Sequence, residues 1–379
     1  MCIRDSFAAL LQSALSLEEA ERMIEPAIAG AERLGDRGLI LDSITVLAAI
    51  VADRGRVVQA LILLDGVARQ AEAVGRSDLA DRARSNFAVW SMDDDPVAAL
   101  AAYRVNMEHE RRTGDLRALL LSVANAAEIA LAAGDWDRPL EEAAALLRDD
   151  LEVADWVLIT EQLTIVALMR GDPAGTAMLD QALAHASGNQ SLGDLLDDRV
   201  AFAAWIAGDV ETAIRSWRHY AEWSPLNAPA TLPRAARAGL WVGDLESVRH
   251  DLDATIATGV HGTVIDAQLV TLRAGIAALE GRVDDSRIHY RDALTRWREL
   301  RQEWLEALTC LDLVSLLGPD DPDAPAAADR AREVFERLGA RPFLERLDAA
   351  LADGGRAAAP RGRRSARADA ASPAGSSPA

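Results

Sequence analysis

The stretch Gly208-Asp209-Val210-Glu211-Thr212-Ala213, with Ala201 seven residues before the glycine and Trp217 nine after it, decides the fold. Glycine can take the left-handed backbone that ends one helix. The aspartate behind it can cap the first free amides of the next. Glu211 then falls in the first turn, where the helix dipole favours negative charge. The stretch therefore reads as helix, tight turn, helix. Gly243-Asp244-Leu245-Glu246 repeats the device, while Asp95-Pro96 and Asp172-Pro173 place proline at the first helical position, where no amide donor is needed.

The turn recurs along the chain. Gly55, Gly134, Gly171, Gly208, Gly243 and Gly281 are separated by 79, 37, 37, 35 and 38 residues, and Asp93-Asp94-Asp95-Pro96 sits in the middle of the first gap. Gly318-Pro319 follows 37 residues after Gly281, and Leu15-Ser16 precedes Gly55 by 40. Side chains keep the same register. Seven residues before the turn stand Ala48, Ala127, Ala201, Ala236 and Ala274, with Phe87 and Thr164 as departures. Five after it come Ala60, Ala99, Ala213 and Ser286; nine after it come Leu64, Tyr103, Trp217, Leu252 and Tyr290. Small residues facing large ones let two antiparallel helices interdigitate.

This layout resembles the tetratricopeptide repeat across residues 7–350. The closest copy runs from Gly208 to Ala213 with Trp217 and Pro225, and Gly281 to Ala293 is next. Trp136 holds the usual aromatic slot after Gly134-Asp135, whereas Pro139 takes an alanine slot and Pro26 interrupts the first helix. The long steps also fit a HEAT-like repeat of about 40 residues. The resemblance implies an all-α, right-handed α-solenoid of about eight degenerate helix-turn-helix repeats, whose first helices line a concave groove. It places Arg84, Glu128, Glu161, Asp198, Arg237 and Gln268 on that lining, facing a peptide, a protein, a neighbouring domain of an intact chain or a small effector. From Gly281 to Asp348 the sequence looks like the C-terminal repeat region of large bacterial signalling proteins that carry an AAA/STAND-type ATPase, of the nucleotide-cyclase or transcriptional-regulator type. Nothing resembles the helix-turn-helix with which the regulators end. The implied role is a cytoplasmic sensor or relay.

Composition narrows the chemistry. Half the residues are apolar, and all 40 basic residues are arginine. Without lysine there is no P-loop lysine and no Schiff-base nucleophile. The net charge is −20; residues 351–379 hold five Arg and two Asp, which leaves −23 on the rest. A body that acidic repels nucleic acid and anionic membranes. Cys2 and Cys310, far apart, make neither a disulfide framework nor a thiolate metal site. No signal peptide or membrane-spanning run is legible. Met1-Cys2-Ile3-Arg4-Asp5-Ser6 resembles the translation of a sequencing-adapter end, so residues 1–6 are expected to be an artefact, with further repeats and a P-loop ATPase upstream. Residues 351–379, rich in Ala, Pro, Ser and Arg, are expected to form a disordered tail.

No catalytic, cofactor or metal residues are expected. The six histidines lack metal-ligand spacing and read as solvated, His109 among them between Glu108 and Glu110. Asp93-Asp94-Asp95 and Asp320-Asp321-Pro322-Asp323 lack the spacing of a calcium loop and read as helix caps. Trp136, Trp217 and Trp297 read as repeat packing, with Trp205 and Trp241 at the ends of first helices. The expected function is a non-catalytic interaction or regulatory scaffold. The alternatives are a free-standing adaptor and an α/α-toroid carbohydrate enzyme, which would need two carboxylates about 5–9.5 Å apart in a deep pocket.

Overall fold

A computed structural model describes residues 17–352 except Leu226. The expected adapter residues and the tail beyond Ala352 lie outside the described residues. Within them the chain forms nineteen α-helices and no strand. After α1 (Leu17–Leu34) come eight antiparallel pairs. Four are α2 (Arg37–Asp53) with α3 (Val57–Ala73), α4 (Ser77–Ser91) with α5 (Pro96–Thr113), α6 (Leu116–Ala133) with α7 (Asp137–Leu146), and α8 (Val153–Met169) with α9 (Pro173–Ala186). A short helix, α10 (Gln190–Leu195), precedes the rest. These are α11 (Asp197–Ala207) with α12 (Val210–Trp223), α13 (Ala228–Val242) with α14 (Leu245–Ala257), α15 (Thr263–Leu279) with α16 (Val283–Glu299), and α17 (Glu303–Leu317) with α18 (Ala324–Leu338). Helix α19 (Arg341–Ala352) closes the array.

The turn chemistry is built as the sequence suggests. Gly208 has φ +83° and ends α11, and Asp209 accepts from the Thr212 amide at 3.1 Å. Asp244, Asp95 and Asp172 cap in the same way. Every alanine named in register is at most 1% exposed, as are Ser286, Leu64, Tyr103, Trp217 and Tyr290; Leu252 is 9% exposed. Ser286 shows why a hydroxyl fits an alanine slot: it donates to the Ala274 carbonyl at 2.9 Å on the facing helix.

Successive first helices pack on one another: α6 on α8, α8 on α11, α13 on α15 and α15 on α17. They therefore form the inner layer of a curved ribbon, and the second helices form its outer layer. An inner helix touched on every side should be apolar all round. Helix α6 is the one described helix long and apolar enough to cross a membrane, and it is mostly buried within the protein.

The ribbon curves until it meets itself, which the repeat pattern did not announce. Helix α17 packs against α6. The loop before α15 seats on two earlier turns: the His261 ring meets the Gly55 carbonyl at 2.7 Å, Val264 donates to the Asp93 carbonyl at 3.0 Å, and the Thr263 hydroxyl donates to that of Asp94 at 2.6 Å. The turn before α19 seats on the next two. Arg337 donates to Gly134, Arg170 to Leu338, and Arg341 to Arg170 and Gly171. These partners stand 168–171 or 203–206 residues apart, about five pairs at the observed step. In both places a turn inside a pair meets a turn between pairs. The ribbon is a tight superhelix whose consecutive turns touch edge to edge.

Candidate functional site

Closure leaves a cavity of about 200 Å³ along the axis, walled by the inner helices α6, α8, α11, α13, α15 and α17. One water needs about 10–15 Å³ on this scale, so the space holds on the order of fifteen waters. That is room for a metabolite, not for a folded segment. Five aromatic side chains contribute to its wall: Phe202, Trp205, Tyr220, Trp297 and Trp304. Trp205 and Trp304 are also members of an aromatic cluster with Trp136, Trp217, Trp241, Phe335 and Phe343, with neighbouring rings 4.5–6.2 Å apart. Such a cluster fixes the wall in place.

Charges face this apolar frame from four helices. Asp198, at the start of α11, accepts from the Trp217 indole at 2.8 Å and from Arg234 at 3.0 Å. The Arg234 guanidinium also stands 3.9 Å from Glu128 and lies over the Phe202 ring at 5.3 Å. Arg237 forms a buried pair with Asp312 at 2.8 Å, and Asp312 also accepts from Trp241 at 2.6 Å. Glu161 is different. Among the described residues it has neither a hydrogen bond nor an ion pair. Its residual exposure is to the cavity it lines. Burial, reinforced by Asp198 and Glu128 and opposed by Arg199, pushes its carboxyl up to about 7. Arg199 itself is fully buried and donates to the Val157 carbonyl.

The chain matches no family model and no curated protein.

Of the six residues placed on the groove by register, Glu128, Glu161, Asp198, Arg237 and Gln268 line this one cavity. Arg84 does not: it is held among α3, α4 and α5 by Glu72 at 2.5 Å, Asp81 at 2.5 Å and Asn106 at 2.9 Å. Register did not find Arg234, although it lies one helical turn from Arg237 on the same face. Nor did it find Asp93 or Trp304, which reach the cavity only because the superhelix closes.

Other expectations need correction. His109 is only partly exposed, 3.2 Å from Asp81, and its neighbour Glu110 is 3% exposed. His185 and His261 are exposed as expected, His185 packing edge-on to Trp156 and His261 lying at the seam. Asp323 does not cap with its side chain and pairs with Arg291 on α16, whereas Asp321 accepts from the Asp323 amide at 3.0 Å and pairs with Arg287. Asp194, Asp197 and His219 bring their ligand atoms within 4.8 Å of one another, a grouping that no spacing motif announced. Two of the three are already satisfied by each other, since His219 and Asp197 are hydrogen-bonded at 2.5 Å, and Asp194 accepts from Gln190 at 2.6 Å.

Proposed function

We propose that the chain is a non-catalytic, tetratricopeptide-type sensor module of right-handed superhelical sense, which takes a small effector into its axial cavity and relays occupancy to a protein or neighbouring domain. One observation carries this reading: a metabolite-sized space lined by charged and aromatic side chains on several inner helices, instead of a packed apolar core. Side chains at such a position cost stability unless something uses them. The resemblance to signalling ATPases supplies the relay role and a cytoplasmic setting.

The test is a thermal-shift and native mass-spectrometry screen with a metabolite library, followed by hydrogen exchange with any hit. Protection of α6, α8, α11 and α13 supports the reading. Protection confined to the outer helices, or saturable ATP binding by the chain, would overturn it.

The toroid-enzyme reading has one observation in its favour. Glu161, with its raised pKa, faces the same cavity as Glu128, a combination suited to a general acid and its partner. A glycosidic activity lost in both Glu161→Gln and Glu128→Gln would establish it.

A further inference from the structure

The walls of the cavity say what kind of effector fits, granted that the cavity takes one. Asp93, Glu128, Glu161 and Asp198 bring negative charges to its wall and Arg234 a positive one, with the Arg199 guanidinium buried behind the wall. Arg237 is not available, being matched to Asp312. Asp198 is spent on Trp217 and Arg234, and Arg199 on backbone and the Thr160 hydroxyl. Among these carboxylates Glu161 is the one without a partner among the described residues. A second acceptor points the same way. The Gln268 carbonyl oxygen on α15 is buried, and no donor reaches it. An unanswered donor also faces the space, the Trp205 indole N–H. The two acceptors, however, include the only formal charge among the three, and on an aromatic-walled space they call for a donor-rich cation with an apolar body.

We infer that the axial cavity binds a small organic ammonium compound, with the Glu161 carboxylate as its counter-charge and the cavity aromatics around its apolar part. An anionic effector would face the unmatched carboxylate at close range after displacing the water that could screen it. A neutral one would leave Glu161 to hold a proton instead. Among the described residues, the groups that act on Glu161 are Asp198 and Arg199 from α11 and Glu128 from α6, and Arg234 from α13 is paired to two of them. None of these donates to the Glu161 carboxylate, so the position open to an ammonium is not already filled by an arginine.

The experiment uses three probes of one shape: phenethylammonium, 2-phenylethanol and phenylacetate, titrated calorimetrically into the full chain at pH 8. Phenethylammonium is expected to bind at least about tenfold more tightly than the alcohol, and phenylacetate more weakly than either. In Glu161→Gln the preference for the ammonium over the alcohol should vanish while the alcohol still binds. In the unmodified chain, affinity for the ammonium should weaken by about tenfold per pH unit below pH 7, because a proton competes for the same carboxylate. That profile needs no variant, so the inference stays testable if Glu161→Gln folds poorly. Equal binding of the alcohol and the ammonium, or tighter binding of phenylacetate, would overturn the inference and leave the cavity reading intact. If no probe binds and the metabolite screen is also empty, the cavity reading itself fails.

Discussion

Gly262 is the position where the closure of the superhelix can be attacked with one methyl group. A Cβ at this residue would lie 2.4 Å from the Asp93 carbonyl oxygen and 2.9 Å from its carbon, and both are backbone atoms that no rotamer can move aside. Ordinary contact begins near 3.4 Å, so the two segments must part by about 1 Å. At that separation the Val264–Asp93, Thr263–Asp94 and His261–Gly55 hydrogen bonds are no longer bonds, since they now span 3.0, 2.6 and 2.7 Å. At roughly 0.5–1.5 kcal/mol each, Gly262→Ala should weaken the seam by about 2–4 kcal/mol. Because neighbouring pairs keep their own packing, the loss is local. Hydrogen exchange should therefore accelerate some thirtyfold to several hundredfold at residues 93–95 and 261–265, and hardly at all in α16 and α17. Unchanged exchange at the Val264 amide would refute the proposed seam. Uniform acceleration along the chain would refute its local character.

Three further outcomes follow from buried groups. Arg237→Met should cost about 3–5 kcal/mol in urea denaturation, because it strands the fully buried Asp312, and adding Asp312→Asn should recover most of that; a double variant no better than the single one would contradict the pairing. Glu110, buried and answered only by Ser122 on one oxygen, is pushed up to about 7 by burial, with Asp81 and Asp115 adding to the shift. Its folded pKa lies above the unfolded value, so it should cost stability progressively as pH rises from about 4.5 through about 7, to a ceiling of about 3 kcal/mol; Glu110→Gln should flatten that slope, with a gain at pH 8 that disappears near pH 4. The Cys310 thiol is fully buried and pushed up to about 12 by burial, so it should resist iodoacetamide at pH 8 until the chain is unfolded; peptide-level labelling of the native protein would count against the α17 placement.

The pairwise architecture was legible because it is written in local chemistry. Caps such as Asp209 and Asp244 act within three residues, and the small–large register acts within one pair, so both appear in the sequence at short range. Glu110 could have been read as well. Tyr103, Asn106, Met107 and Glu110 fall at helical spacing on one stripe of α5, and the polar neighbours Glu108 and His109 concealed it. What was not legible is the curvature. Each pair adds a small rotation, and whether five of them sum to a closed turn depends on packing that no single repeat records. The seam residues His261, Thr263 and Arg341 carry no motif, because their partners lie some 170–206 residues away and are mostly backbone carbonyls.

Seam and cavity are made of the same side chains. Asp93 and Val264, bonded through their backbones across the seam, both line the cavity. So does Trp304, whose ring meets Trp136 at 4.9 Å where α17 returns to the start of α7. Parting the turns of the superhelix therefore removes part of the cavity wall, and an open ribbon would present the inner carboxylates to bulk water. An effector that contacts these residues binds the closed form better than the open one, and by thermodynamic linkage it must hold the seam shut by the same free energy. In a superhelix open along its length, a ligand on the inner helices could stiffen only the pairs it touches. Here, occupancy of one small space bears on contacts that join residues 55–171 to residues 261–341, so the closure itself couples the cavity to the outside of the molecule.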